Sequence, residues 1–339
     1  MKLHLKIIIF ILLYFISTVA SSNEMATRKE IKENVKFLFL NENFKELDLI
    51  ADKYRDSAER TGSGIWKLTS FYYGFNGLTG SSVKEEGYWL SIKEKSDNWI
   101  KENPKSSTAH IVKGIILKGY AWKFRGDSWS KNVPSEAWKP FEDNLLVAHA
   151  YMLKSKDIAS KDPHWYVTTA HIKNGLNVDN EIFMQFIEEG LDKHPNYYQL
   201  YFSAVNYLAP KWHGDKEKIE SFANQAVTRT MSNQGFGMYA RIYWYASQTQ
   251  YDDRLFSESN IVWPKMKKGI YDVIKKYPDQ WNIQNFAFFA CIANDMETTR
   301  SLFDQMHSLM IIRAWKRQDY YDYCKSFAYT EKGPNTRVN

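Results

Sequence analysis

From residue 28 onward, apolar residues return every three or four positions with polar residues between them. Phe44, Leu47, Ile50, Ala51 and Tyr54 make one stripe; Ile182, Phe183, Phe186, Ile187 and Leu191 make a second. Ile219, Phe222, Ala223, Ala226 and Val227 form a third, and Leu302, Phe303, Met306, Leu309 and Met310 a fourth. This spacing gathers the apolar side chains on one face of an α-helix. No segment alternates with period two between hairpin turn signals, so the pattern predicts helices and no strands.

Prolines punctuate the helices. Glu102-Asn103-Pro104, Lys193-His194-Pro195 and Lys276-Tyr277-Pro278 each read as the end of one helix and the start of the next, with an apolar residue five places on at Ala109, Leu200 and Ile283. Proline lacks the amide proton of a helix interior but fits the first turn, which suits such a junction. After Pro278 the pattern predicts a helix from Trp281 to Ala293, a tight turn at Asn294-Asp295 and a second helix from Glu297 to Met310. The unit after Pro195 has the same plan with a longer turn, Pro210-Lys211-Trp212-His213-Gly214-Asp215. The expected fold is all-α: a tetratricopeptide-like superhelix of α-α hairpins with irregular repeats. Gly62 to Gly87 and Arg125 to Pro140 break the texture and read as loops or short irregular helices.

The first 22 residues differ from the rest. Lys2 and Lys6 precede an apolar run from Ile7 to Val19, followed by the small residues Ala20-Ser21-Ser22. This is the pattern of a secretory signal peptide, shorter than the roughly 18 to 20 apolar residues that cross a bilayer. The expected organisation is a signal peptide over 1–22, an N-terminal helical region over 28–160, a tetratricopeptide-like region over 161–330 and a flexible polar tail over 331–339. An exported product, periplasmic or extracellular, with no stable membrane insertion after cleavage, follows from that organisation and from a mean hydropathy of -0.51.

Composition adds limits. The 339 residues carry a net charge of +6, or +4 once residues 1–22 are set aside, without the clustered basic face of a nucleic-acid binder. Aromatic residues make up 16% of the chain, including 12 Trp and 22 Tyr, so the core is expected to be aromatic. Cys291 and Cys324 are the only cysteines. A bond between them is open to the chain, but Cys291 lies in the run Phe286-Ala287-Phe288-Phe289-Ala290-Cys291, where a small buried thiol packs well, so two free thiols are the favoured expectation.

Several segments together resemble a bacterial family of secreted and cytosolic proteins, domain-of-unknown-function family 4034. They are Phe44-x-x-Leu47 with Ala51; Gly64-Ile65-Trp66-Lys67-Leu68 with Phe71-Tyr72; Trp99 with Pro104-x-Ser106; and Ala121-Trp122 with Arg125-Gly126. Pro195-x-Tyr197-Tyr198, Tyr207-Leu208-x-Pro210-Lys211-Trp212-x-Gly214, Tyr239 to Trp244, and Tyr277-Pro278-Asp279-x-Trp281-Asn282 complete the set. The resemblance spans about Phe37 to Met310. It implies a tetratricopeptide-like fold and no established activity.

Catalytic signatures do not emerge. His164 and His171 stand seven apart, no His-Glu-x-x-His occurs, and no nucleophile sits on a sharp turn beside a base, so no metal, cofactor or catalytic residue is assigned. The cluster of most interest is Trp212, His213 and Asp215 in the long turn with Tyr239, Arg241, Tyr243 and Trp244, joined by Trp122 and Arg125. Arg241 is suited to a carboxylate, with Trp212 or Trp122 stacking on a sugar or peptide. The structural counter-reading pairs Arg241 with Asp215 or Asp127 to fix helix packing. Candidate binding residues are therefore Trp122, Arg125, Trp212, His213, Asp215, Tyr239 and Arg241. The expected function is a scaffold for a protein or peptide partner, with no nucleic acid. The alternative is an envelope-polymer (carbohydrate or peptidoglycan) binding protein or hydrolase, for which Arg241 or His213 must face at least two carboxylates in a deep pocket with exposed Trp rings.

Overall fold

The computed structural model describes residues 24–330 apart from 81, 83, 84 and 213; the signal-peptide pattern over 1–22, His213 and the tail over 331–339 lie outside the described residues. In chain order the helices are α1 (Glu24–Leu40), α2 (Phe44–Ser57), α3 (Lys67–Asn76), α4 (Glu86–Glu102), α5 (Ser107–Arg125) and α6 (Ser135–Lys154). There follow α7 (Lys156–Ala159), α8 (Pro163–Gly175), α9 (Asn180–Lys193), α10 (Tyr198–Tyr207), α11 (Lys216–Gln234) and α12 (Gly237–Ala246). The chain ends with α13 (Leu255–Glu258), α14 (Trp263–Lys276), α15 (Gln280–Ile292), α16 (Met296–Phe303), α17 (Ile312–Trp315) and α18 (Gln318–Tyr329). Among the described residues the sole β-bridge joins Arg60 and Trp66. The protein is an all-α helical-repeat protein. No helix of the described residues is long and apolar enough to cross a membrane.

Two kinds of helix alternate. In α9 the buried positions are Phe183, Ile187, Gly190 and Leu191, and in α14 they are Met266, Gly269, Ile270, Val273 and Ile274, one stripe in each case with the other face in water. In α8, α10, α12 and α15 almost every side chain is buried, polar ones included. The second kind forms an inner layer, α5 against α8, α8 against α10 and α10 against α12, with Trp244 of α12 packed on Trp281 and Phe286 of α15. One core runs unbroken from Val35 to Ala328. The stripe residue Ile182 faces outward, 55% exposed, while its neighbour Phe183 stacks on Tyr207.

The proline junctions share a backbone form. Asn103, His194 and Tyr277 take φ of -134°, -133° and -138° with ψ of 82°, 57° and 75°, and each amide still donates to the carbonyl four residues back. The ring of a following proline excludes the α region for the residue before it, so the outer helix ends there. Pro104 and Pro195 sit in short turns and Pro278 in an irregular link, each before the next helix and outside its first turn. Side-chain caps then start two of the three helices that follow: Ser106 accepts from the Ala109 amide and Asp279 from the Trp281 amide, whereas α10 has no side-chain cap at Tyr197.

Four expectations need correction. Gly62 to Gly87 is not simply a loop: it contains α3, which buries Leu68, Phe71, Tyr72 and Phe75. The segment from Arg125 is irregular only to Pro134; α6 starts at Ser135 and carries Pro140 in its interior. The helix expected to reach Met310 ends at Phe303, and Leu309 is 91% exposed. Two buried glutamines of α15 explain this. Gln280 bonds the Gln305 carbonyl and the His307 amide, and Gln284 bonds the Leu309 carbonyl and the Ile311 amide, so this stretch satisfies its backbone on side chains instead of within a helix. Finally, Cys291 and Cys324 are not free thiols but form a disulfide, with Cα atoms 5.6 Å apart, because α18 folds back onto α15. Closing a loop between residues 33 apart in the chain stabilises by about 3–4 kcal/mol in the chain-entropy account.

Candidate functional site

The site begins with a tight loop between α2 and α3. The Thr61 amide donates to the Ile65 carbonyl (2.8 Å) and the Gly64 amide to the Thr61 carbonyl (2.9 Å). Gly64 has φ of +90°, and a Cβ there would lie 2.6 Å from the Tyr277 ring and 2.7 Å from Nη2 of Arg241. Only glycine serves at this position. The loop tip therefore presses its backbone against α12 and the start of α15, more than 170 residues later in the chain, and the Ser63 carbonyl accepts from Arg241 Nη2 (2.7 Å) and Asn282 Nδ2 (3.2 Å).

Glu24 at the start of α1 anchors the other side of the loop. Its carboxylate accepts from the Ser63 amide (2.9 Å) and from the hydroxyls of Ser63 and Thr61 (both 2.8 Å), and pairs with Arg28. Burial raises its pKa, but Arg28 and these donors outweigh it and leave the carboxyl below its ordinary value. Arg60 donates to the carbonyls of Gly64 (2.7 Å) and Asn196 (3.2 Å) and lies 4.6 Å from the Tyr198 ring centre.

Arg241 stands apart from these. It is 3% exposed, its guanidinium carbon lies 5.0 Å from the Tyr198 ring and 5.6 Å from the Tyr277 ring, and its Nε has no hydrogen-bond partner. Among the described residues no carboxylate is within ion-pairing distance; burial, and to a lesser degree Arg60 and Arg28, lower its pKa, while the two tyrosines work the other way. A buried guanidinium stays charged, so an unmatched positive charge is held inside the protein at a cost in desolvation.

Arg241 lines a cavity of about 160 Å³. Arg28 and Ser63 share its charged end. Its floor is polar, with Thr69, Ser70 and Gln199, and its apolar wall is made by Phe202, Trp244, Tyr245 and Trp281. Phe202 and Tyr245 stack at 5.0 Å and 7°. Tyr73 and the exposed Gln248 connect the cavity with solvent. No Asp or Glu lies on this wall among the described residues.

The sequence-chosen residues do not assemble into one site. Arg241 alone of the seven lines the cavity, with Trp244 beside it. Tyr239, two residues away, points to the other side of α12, where its hydroxyl bonds Glu220 (2.7 Å) and accepts from the Val262 amide (2.9 Å). Trp122 and Arg125 belong to the end of α5: the Arg125 guanidinium lies over the rings of Trp122 (4.9 Å) and Trp138 (5.2 Å) and donates to the carbonyls of Gly126 and Ser128. Asp215 caps α11 by accepting from the Lys218 amide (2.7 Å), and Trp212 lies half-buried in the turn before it. Arg241 thus pairs with neither Asp215 nor Asp127. Among the lining residues that sequence reasoning missed are the polar Ser70, Gln199, Gln248 and Arg28. They come from four separate helical or π-helical segments and share no spacing; only Gly62-Ser63-Gly64, a glycine pair before an aromatic helix, signalled a close backbone approach.

Fold and site together define an all-α helical-repeat protein with a small cationic, aromatic-walled cavity at its inner layer. In comparisons with known proteins, no family model, no curated protein and no solved structure matches the chain.

Proposed function

We propose that this chain is an exported, tetratricopeptide-like scaffold, akin to family 4034, that binds a protein or peptide partner and seats one group of it in the Arg241 cavity. The observation that carries the reading is the unmatched buried guanidinium on a cavity wall. Folding alone gains nothing from burying a lone charge beside empty space, whereas a partner that supplies the missing acceptor recovers the cost on binding. The Cys291–Cys324 bond supports export, since such bonds persist in oxidising compartments.

The polymer-binding alternative has one supporting observation, the Trp244 and Trp281 rings on the wall. Both are less than a tenth exposed, too little for the stacking platform a sugar needs, and among the described residues the wall lacks the carboxylates that glycoside hydrolysis requires. The test is a photo-crosslinking residue introduced at Gln248 in living cells. Capture of a defined protein or peptide supports the scaffold; capture of glycan alone, or recovery of the chain in the cytosol, overturns it.

A further inference from the structure

We infer that the cavity beside Arg241 receives a monocarboxylate carried on one compact apolar or aromatic group. This deepens the binding reading above and rests on it, naming the chemistry that is bound. Charge comes first. Of the two cations on the wall, Arg28 is already paired with Glu24, so the cavity presents one uncompensated positive charge. A single carboxylate cancels it, whereas a phosphate dianion brings a second negative charge into a low-dielectric space that, among the described residues, holds no further free cation.

Geometry comes second. Nη2 of Arg241 is occupied by the Ser63 carbonyl, but among the described residues no protein group hydrogen-bonds its Nη1, in a side chain 97% removed from solvent that lines the cavity, and a planar carboxylate is the natural acceptor for a guanidinium. Among the described residues no protein group hydrogen-bonds the side chains of Ser70 or Gln199, both buried on the same floor. They stand ready for the second oxygen.

Size comes third. About 160 Å³ matches a cavity known to hold benzene-sized guests. It takes one ring or branched chain with its carboxylate and no sugar chain. The stacked Phe202–Tyr245 pair and the Trp rings supply the apolar contact. The same chemistry exists in two sources, the C-terminal residue of a peptide and a free aromatic or branched acid.

The test uses the purified full chain at fixed ionic strength, with calorimetric titration of phenylacetate, N-acetyl-phenylalanine and a hexapeptide ending in phenylalanine, each beside its carboxamide, and with chloride and inorganic phosphate as controls. The expected result is binding of the acids at least tenfold tighter than of the amides, and loss of that preference in Arg241→Met. Tight binding of the hexapeptide without phenylacetate assigns the site to chain termini; comparable binding of phenylacetate assigns it to free acids. Acids no better than amides, or no better than chloride, overturn the inference even if crosslinking at Gln248 still captures a peptide, so the two readings fail separately. If Arg241→Met does not fold, Ser70→Asp replaces it by planting a carboxylate in the cavity. It should raise the melting temperature and exclude the acids, and a lower melting temperature with unchanged acid binding overturns the inference.

Discussion

Asp162 and Arg241 are both charged and both almost wholly removed from water on inner helices, yet their surroundings are opposite. Asp162 caps α8 and is fully enclosed: Tyr72 donates to it (2.7 Å), the His164 amide donates to it (2.8 Å), and Arg55 lies 3.6 Å away. Around this carboxylate Tyr72 stacks on His164 at 4.2 Å, and His164 Nδ1 bonds the Tyr197 hydroxyl (2.8 Å). Asp162 itself does not line the surface cleft that its neighbours Arg55 and Tyr197 border. Arg241 has one carbonyl acceptor, two ring faces and an opening. A buried charge whose bonds are all made within the protein holds the fold together; one left short beside a cavity is a place for something else to bind.

The sharpest way to break this comparison is to delete each charge. Asp162→Ala strands the Tyr72 hydroxyl, the His164 amide and Arg55, and should cost about 3–5 kcal/mol in urea unfolding. Arg241→Met removes a charge without a counter-ion and leaves the Ser63 carbonyl bonded to Asn282, so it should stay within about 1 kcal/mol of wild type. Equal, large losses at both positions would make Arg241 a structural residue.

Gly64→Ala comes next. Its Cβ must enter the Tyr277–Arg241 contact at a positive φ, and a loss of about 2–3 kcal/mol is expected in the same assay, together with weaker binding in the cavity. The cavity's shape depends on this loop, whereas Asp162 does not touch it.

Acid sharpens the contrast further. Burial, with His171 and Lys118 adding to it, holds the His164 imidazole well below its ordinary value, and burial with Lys118 brings His171 down to about 3. A depressed folded value means that the stabilisation is present above the unfolded value near 6.5 and is lost as pH falls below it. For His164 the expected loss from pH 7 to pH 5 is about 2 kcal/mol, read as the difference in pH dependence between wild type and His164→Gln. Asp162, whose carboxyl is raised by burial despite its donors, works in the opposite sense and offsets part of the total in wild type, which is why the variant comparison is needed.

The smallest effect belongs to Tyr239→Phe. It removes a hydroxyl bonded to Glu220 and to the Val262 amide and should cost about 1 kcal/mol in urea unfolding, with no change in binding of phenylacetate, because the side chain faces away from the cavity.

Helical class and junctions were legible along the chain because they are local. The period of Phe183, Ile187 and Leu191 needs only neighbouring residues, and a proline acts on the residue just before it, which is why Asn103, His194 and Tyr277 adopt one shape. Helix α3 was hidden because its aromatic residues are buried on nearly every side and show no polar face. The early end of α16 was hidden because the groups that stop it, Gln280 and Gln284, sit on another helix.

Of the candidate site, the sequence by itself singled out Arg241 as a residue suited to a carboxylate, and it set the aromatic content that walls the cavity. Everything else about the site was decided in three dimensions. Bringing Ser63 to Arg241 spans 178 residues, and pairing Cys291 with Cys324 spans 33. Whether a charge is matched depends on which distant groups surround it, and that surrounding is fixed only when the inner helices close on one another.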